Sequence, residues 1–276
     1  MSRQPEGPPP PPTVQKLRVR YAKRGRLRFT SHRDFARAFE RAIRRAGLPI
    51  AYSAGFNPHP KVSYAGAAPT GVASEAEYLE IGLAKECDTA AVRDALDAAL
   101  PPGLDILEVV DAAASPAKSL NDLIEASFWQ IVLPGVPAAT IGAAVKALLA
   151  VETAPVERPT KDGSRTVDVR AALVSAVVAG DDPAAVASAA ADPPDSAKPQ
   201  MNATCATLNV VVRHSTPAVR PDDILTALRT IGALTTPVTP VVTRLAQGLL
   251  DDTSPEDAER LIDPFGPAER LPAHHG

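Results

Sequence analysis

The chain has 276 residues, of which 45% are hydrophobic and only 4% aromatic, and its formal net charge is -3. This length favours two domains of ordinary size. The two cysteines, Cys87 and Cys205, are too few for a disulfide framework, a four-thiolate zinc site or a four-iron cluster, and they indicate a reducing cytoplasm. The most apolar long stretch, 131–151, is interrupted by two prolines and a lysine, which argues against a membrane span.

Basic side chains are concentrated near the start of the chain. Residues 16–61 contain thirteen Lys or Arg and only two acids, Asp34 and Glu40, a net of +11. The remaining residues therefore carry a net of -14. Such segregation is typical of proteins that bind phosphate, nucleic acid or an acidic partner. Residues 1–14, which include five consecutive prolines and lack the apolar core of a secretory signal, are predicted to form a disordered arm.

The basic segment begins with a strand and a helix. Leu17, Val19 and Tyr21 alternate with polar residues, which predicts a half-buried strand, and a basic turn follows at 23–26. Ser31 is the expected N-cap of the helix and Gly47 its stop. One apolar stripe is predicted to face the core, and it consists of Phe35, Phe39, Ala42, Ile43 and Ala46. Four arginines are predicted on the opposite side: Arg33, Arg37, Arg41 and Arg44.

The first half continues with short strands at 50–53 and 62–65, which flank the loop Gly55-Phe56-Asn57-Pro58-His59-Pro60. A strand at 78–83, a helix at 89–100 and a strand at 105–110 complete it. The order strand, helix, strand, strand, helix, strand is that of a ferredoxin-like unit. The second half repeats this order, with strands at 128–133, 205–213 and 241–245, helices at 137–151 and 221–231, a hairpin at 156–169 and a short helix at 171–178.

We therefore expect an α+β protein made of two tandem ferredoxin-like (βαββαβ) domains with antiparallel sheets. The predicted domains are 15–114 and 115–246. The second contains an insertion at about 180–203, rich in Asp, Pro, Ala and Ser, that is expected to be mobile. Residues 247–276 are predicted to form a disordered tail.

Anion recognition is the favoured role of the basic helix and of the loop that follows it. In the loop, Asn57, His59 and Lys61 alternate with prolines that restrict the backbone. The candidate binding residues are Arg18, Arg20, Lys23, Arg24, Arg26, Arg28, Arg33, Arg37, Arg41, Arg44, Tyr52, Ser53, Phe56, Asn57, His59 and Lys61. The common nucleotide, zinc-protease and serine-hydrolase motifs are absent from the sequence, and we predict no metal and no cofactor.

The segments SHRDF (31–35), GFNPHPK (55–61) and EYLEI (77–81), with a fainter match at TVDVR (166–170), resemble the radical-SAM-linked protein family. Members are domains of unknown function that occur alone or attached to radical S-adenosylmethionine proteins. The resemblance implies a radical SAM enzyme as a partner. The layout, with a histidine near the first helix, is also similar to the RAMP ribonucleases that process CRISPR RNA, which implies RNA binding.

Three functions follow from these observations. The first is a non-catalytic module that binds RNA, for example tRNA or rRNA, through the basic helix and loop. The second is a metal-independent endoribonuclease in which His32 or His59 acts as acid or base and Lys61 or an arginine stabilises the transition state. The third is a scaffold whose arginines meet an acidic protein. All three are expected in the cytoplasm.

Overall fold

The computed structural model describes residues 10–114, 119–160, 163–181, 205–251 and 261–265. These residues fall into two compact units. The first contains residues up to 123 together with 264–265, and the second contains residues 124–263. Residues 1–9 of the predicted arm (1–14) and most of the predicted insertion lie outside the described residues.

Among the described residues, the first unit contains four strands and two helices in the predicted order. They are β1 (Gln15–Lys23), α1 (His32–Arg45), β2 (Val62–Ala65), β3 (Ala73–Leu83), α2 (Thr89–Ala99) and β4 (Ile106–Asp111). Short 3-10 turns occur at Gly25–Phe29, Ala112–Ala114 and Leu120–Leu123. Strand β1 pairs antiparallel with β3 and with β4, and β2 pairs antiparallel with β3.

One core forms between this sheet and the two helices. Leu17, Val19 and Tyr21 point from β1 into it, where the ring of Tyr21 stacks on that of Phe35 with centroids 4.2 Å apart. The predicted apolar stripe of α1 is confirmed, because Phe35, Phe39, Ala42 and Ile43 are buried in this core. Since side chains alternate along a strand, the even-numbered residues of β1 lie on the sheet face that looks away from α1.

The predicted ends of α1 are also confirmed. Ser31 is the N-cap, and its Oγ accepts a hydrogen bond from the Asp34 backbone N–H at 3.2 Å and donates one to the Asp34 carboxylate at 2.7 Å. Gly47 follows the C-cap residue with a φ of +65°, a left-handed conformation that glycine adopts at little cost. Local signals therefore fix where α1 begins and ends.

The second unit contains a longer series of elements. They are β5 (Ala126–Pro134), α3 (Ala138–Ala150), β6 (Pro155–Thr160), β7 (Gly163–Asp168), α4 (Val169–Ala172), β8 (Leu173–Asp181), β9 (Cys205–Arg213), α5 (Pro221–Gly232), β10 (Val241–Leu250) and β11 (Leu261–Ile262). Strand β5 pairs antiparallel with β9 and with β10, and β8 pairs antiparallel with β9. The mixed α+β class is thus confirmed.

The helix predicted at 171–178 is wrong. Only Val169–Ala172 is helical, and Leu173–Asp181 is strand β8, which pairs with β9. The alanines of this segment favoured a helix, but its valines and Leu173 pair with the apolar strand β9. The predicted hairpin is confirmed as β6 and β7. The hairpin forms a separate two-stranded sheet, and the strand that pairs with β9 on the side away from β5 is β8.

Two further expectations differ from the structure. The strand predicted at 50–53 is reduced to isolated bridges, Ile50 with Leu83 and Tyr52 with Pro60, because neighbouring prolines lack the N–H groups that a ladder requires. In the predicted tail, β10 continues through Leu250, and β11 pairs with its end. Phe265 is buried and contacts Tyr78 edge to face, with centroids 5.2 Å apart. In the described ranges, no helix has the length and apolar character needed to cross a membrane.

A close approach between α3 and α5 gives a stability prediction. A Cβ on Gly232 would lie 2.6 Å from the Cα of Ala144, so Gly232→Ala forces the two helices apart. We expect a loss of roughly 2–3 kcal/mol in the free energy of unfolding, measured by chemical denaturation. Gly142→Ala in α3 is the matched control, since its added Cβ meets nothing within 4 Å. The control should leave stability unchanged or raise it, and equal losses in both variants would contradict the packing argument.

Candidate nucleic-acid interface

Four arginines of α1 form an exposed basic surface, which we call the arginine face: Arg33, Arg37, Arg41 and Arg44. They lie opposite the buried stripe because residues four and eleven positions apart share one side of a helix. All four are exposed. None of them has a hydrogen bond or an ion pair with another residue that the structure describes. The face therefore offers four guanidinium groups to a ligand.

The other charged residues of α1 have local structural contacts. Arg45 lies at the edge of the face, and its Nη1 donates to the Ala99 carbonyl of α2 at 2.8 Å. Asp34 is held by the Ser31 hydroxyl at the cap. Glu40 is half-buried on the side of Tyr64. Burial, with a smaller contribution from Glu40, raises the pKa of Tyr64 well above its ordinary value.

The arginines of β1 do not join the arginine face, contrary to the sequence prediction. Arg18 is 3% exposed and forms an ion pair with Glu80 at 3.7 Å. Arg20 forms an ion pair with Glu108 at 2.9 Å. Both side chains lie on the sheet face that looks away from α1, because they alternate with the buried Leu17, Val19 and Tyr21. They stabilise the sheet through cross-strand pairs.

The basic turn after β1 is divided between structural and exposed residues. Lys23 is 4% exposed, and its Nζ lies 3.4 Å from the Ala68 carbonyl and 3.3 Å from that of Pro69. Arg24 donates to both carboxylate oxygens of Glu75 and, at 2.7 Å, to Asp105. These partners, Glu75 first, raise the pKa of Arg24 above its ordinary value. Lys23 and Arg24 therefore make contacts that stabilise the fold.

Arg26 and Arg28 lie closer to the start of α1. Arg26 is exposed. Arg28 places its guanidinium over one face of the Phe29 ring, 4.6 Å from the centroid, and donates to the Gly25 carbonyl at 3.2 Å. The Phe29 side chain was not among the predicted binding residues, yet the residue is 58% exposed.

The loop at 54–58 is closed by reciprocal hydrogen bonds. The Ser53 N–H donates to the His59 carbonyl at 2.9 Å, and the His59 N–H donates to Ser53 Oγ at 3.0 Å. Tyr52 packs against the core, which anchors the base of the loop. Three candidate residues are thereby left exposed: Phe56, Asn57 and His59. Beyond the loop, Lys61 Nζ donates to Thr13 Oγ1 at 2.9 Å.

The two candidate catalytic histidines lie on different elements. The His32 ring, in the first turn of α1, contacts the Tyr64 ring edge to face, with centroids 4.8 Å apart. His59 is exposed at the base of the 54–58 loop. No group of three or more metal-ligating side chains occurs within the part of the chain that the structure describes.

The second unit contains a polar pair that the sequence analysis missed. Ser127, which is 1% exposed, places its Oγ 2.7 Å from Nε2 of His214. His214 Nδ1 lies 3.1 Å from the Ile124 carbonyl, and since a carbonyl only accepts, Nδ1 carries the proton of the neutral ring. In the local sequence, this pair is indicated only by a serine within the apolar strand β5. Ser127 and His214 are 87 residues apart in the sequence.

His214 makes stability depend on pH. Burial lowers its pKa from the ordinary value of 6.5, the Arg244 charge adds to this, and the Ile124 hydrogen bond partly offsets it. Below pH 6.5 the unfolded chain therefore binds more protons than the folded chain, so the free energy of unfolding falls as the pH is lowered from there. Denaturation curves between pH 7.5 and 5 should show this fall. His214→Gln should reduce the pH dependence, and an unchanged dependence in that variant would contradict this role of His214.

Comparisons with known proteins place the chain in a family. A search of curated proteins found no match. A model of a family described as uncharacterized and conserved in bacteria, DUF2344, matches residues 16–221. This range begins in β1, includes α1 with its arginine face and the 54–58 loop, and ends at the first residue of α5. The chain therefore belongs to DUF2344.

Proposed function

We propose that this protein is a non-catalytic module that binds RNA on the arginine face of α1. The observation that carries the proposal is the contrast between two sets of arginines. Arg18, Arg20 and Arg24 are held in ion pairs with acids of the same unit. The four arginines of the face have no such partner among the described residues. Exposed, uncompensated guanidinium groups on one helix are suited to a polyanion.

The chemistry of arginine supports RNA as the ligand. Its planar guanidinium pairs with phosphate through two hydrogen bonds and also stacks on bases. The 54–58 loop adds exposed donors at Asn57 and His59. Because Ser53 and His59 close this loop, less conformational entropy is lost when a ligand binds.

A salt titration of RNA binding tests the proposal. If about five phosphates are engaged, the logarithm of the binding constant should fall against the logarithm of salt concentration with a slope of about -3.5 to -4.5. Filter binding with labelled tRNA and rRNA fragments measures it. Affinity that does not depend on salt would rule the proposal out. Each bound RNA is also incubated and sized on a gel, since cleavage by the wild type would favour the endoribonuclease instead.

The partner, the compartment and the finer fold are part of the same proposal. We infer that both units are ferredoxin-like, because in each unit the first strand pairs with the third and with the fourth. In the second unit, β5, β8, β9 and β10 are counted as the first, second, third and fourth strands.

The resemblance to radical-SAM-linked proteins supports a radical SAM enzyme as the partner that receives the RNA. Two free cysteines fit the cytoplasm. A pull-down repeated with nuclease treatment distinguishes an RNA-bridged partner from a direct protein contact.

A further inference from the structure

Two exposed phenylalanines flank α1 in the sequence. Phe29 is 58% exposed and comes two residues before the N-cap Ser31. Phe56 is 65% exposed in the loop that follows the helix. Exposed aromatic rings are the side chains on which unpaired bases stack, so these two rings, on either side of a basic helix in the sequence, indicate a binding role.

The protein restrains Phe29 through a contact to its ring and Phe56 through the backbone of its loop. The Arg28 guanidinium covers one face of Phe29, 4.6 Å from its centroid. The backbone beneath is fixed, because the Gly71 N–H donates to the Arg28 carbonyl at 2.8 Å. Phe56 is carried by a loop whose base is closed by Ser53 and His59. Aromatic rings held this way lose little conformational freedom when they bind a flat ligand.

Resting on the function proposed above, we propose that the ligand of the arginine face is single-stranded RNA and that Phe29 and Phe56 stack on its bases. Stacking on aromatic side chains is the usual way in which single strands are held, and it is unavailable in a duplex, whose bases are already stacked on one another.

The experiment uses the full chain and fluorescence anisotropy with a labelled 12-nucleotide oligouridylate and a 12-base-pair RNA duplex. Phe29→Ala and Phe56→Ala should each weaken binding of the single strand by about 5- to 100-fold and leave its salt slope unchanged. Duplex binding should not change.

Matched variants separate stacking from general apolar contact. Phe29→Tyr and Phe56→Tyr should bind as the wild type does, whereas Phe29→Leu and Phe56→Leu should bind as the alanine variants do. Val177→Ala, at another exposed apolar position, is the surface control and should have no effect. Equal losses for single strand and duplex, or leucine variants that bind normally, would overturn the inference. The wild type could bind both RNAs in a salt-dependent manner while the phenylalanine variants bind equally well. In that case the arginine face remains supported and the stacking inference fails. If the wild type binds neither RNA, the proposed function and the stacking inference both fail.

Discussion

Replacing the four residues of the arginine face with glutamine should lower RNA affinity by about two to three orders of magnitude at physiological salt. Each phosphate contact contributes about 0.7–0.9 to the log-log salt slope, so losing four contacts should reduce the slope by about 3. The fold should survive, because all four side chains are exposed and make no hydrogen bond or ion pair with the residues that the structure describes. Anisotropy titrations at several salt concentrations measure both quantities.

A charge-matched variant controls for the change in net charge. It replaces exposed arginines on other elements with glutamine: Arg93, Arg165, Arg213 and Arg229. Long-range attraction to RNA falls equally in both quadruple variants, whereas local phosphate contacts are lost only from the arginine face. We expect the control to lose less than tenfold in affinity and to keep most of the wild-type slope. Equal losses in the two variants would show that net charge alone drives binding.

The second large effect is expected at the ion pair between the β6–β7 hairpin and α5. Arg158 of β6 donates to Asp223 from both Nε and Nη2, and Asp223 is 5% exposed. The same carboxylate accepts the Arg220 N–H at 2.7 Å. Asp223→Ala leaves the Arg158 guanidinium without its acid in a largely buried position. We expect a loss of about 3 kcal/mol in the free energy of unfolding, measured by urea denaturation.

Two controls make this prediction specific. Asp222→Ala removes the neighbouring exposed acid from the same helix turn and should cost under about 1 kcal/mol, the usual value for a charge near a helix N-terminus. The double variant Arg158→Met with Asp223→Ala removes both charges and should be more stable than Asp223→Ala alone. If the double variant loses as much as the two single variants added together, the pair is not coupled and the account of this contact is wrong.

The sequence predicted best what depends on neighbouring residues. The ends and the two faces of α1 follow from Ser31, Gly47 and a 3.6-residue period, and the structure confirms them. Strand β8 was mistaken for a helix because its alanines favour a helix locally, whereas its pairing with β9 depends on residues 25 to 39 positions away. Pairing across a sheet is a tertiary effect that overrides local preference.

The candidate site, too, could be predicted only where its contacts join residues that are close in sequence. The arginine face could be predicted because it lies on one helix. The roles of Arg18, Arg20 and Arg24 could not, since their acids come from other strands, and Glu75 is 51 residues from Arg24. Phe29 was missed because the exposure of a single aromatic residue has no periodic signal. The Ser127–His214 pair joins two strand ends that are distant in sequence.

The most direct test of the arginine face is ultraviolet crosslinking in cells, followed by mass spectrometry of the peptides that carry a nucleotide. If α1 holds RNA, crosslinked peptides should concentrate between Phe29 and Lys61, and they should disappear from the variant in which the four arginines are glutamine. Crosslinks that map mainly to other elements, or that persist in that variant, would contradict the account. So would the recovery of no RNA from the wild-type protein.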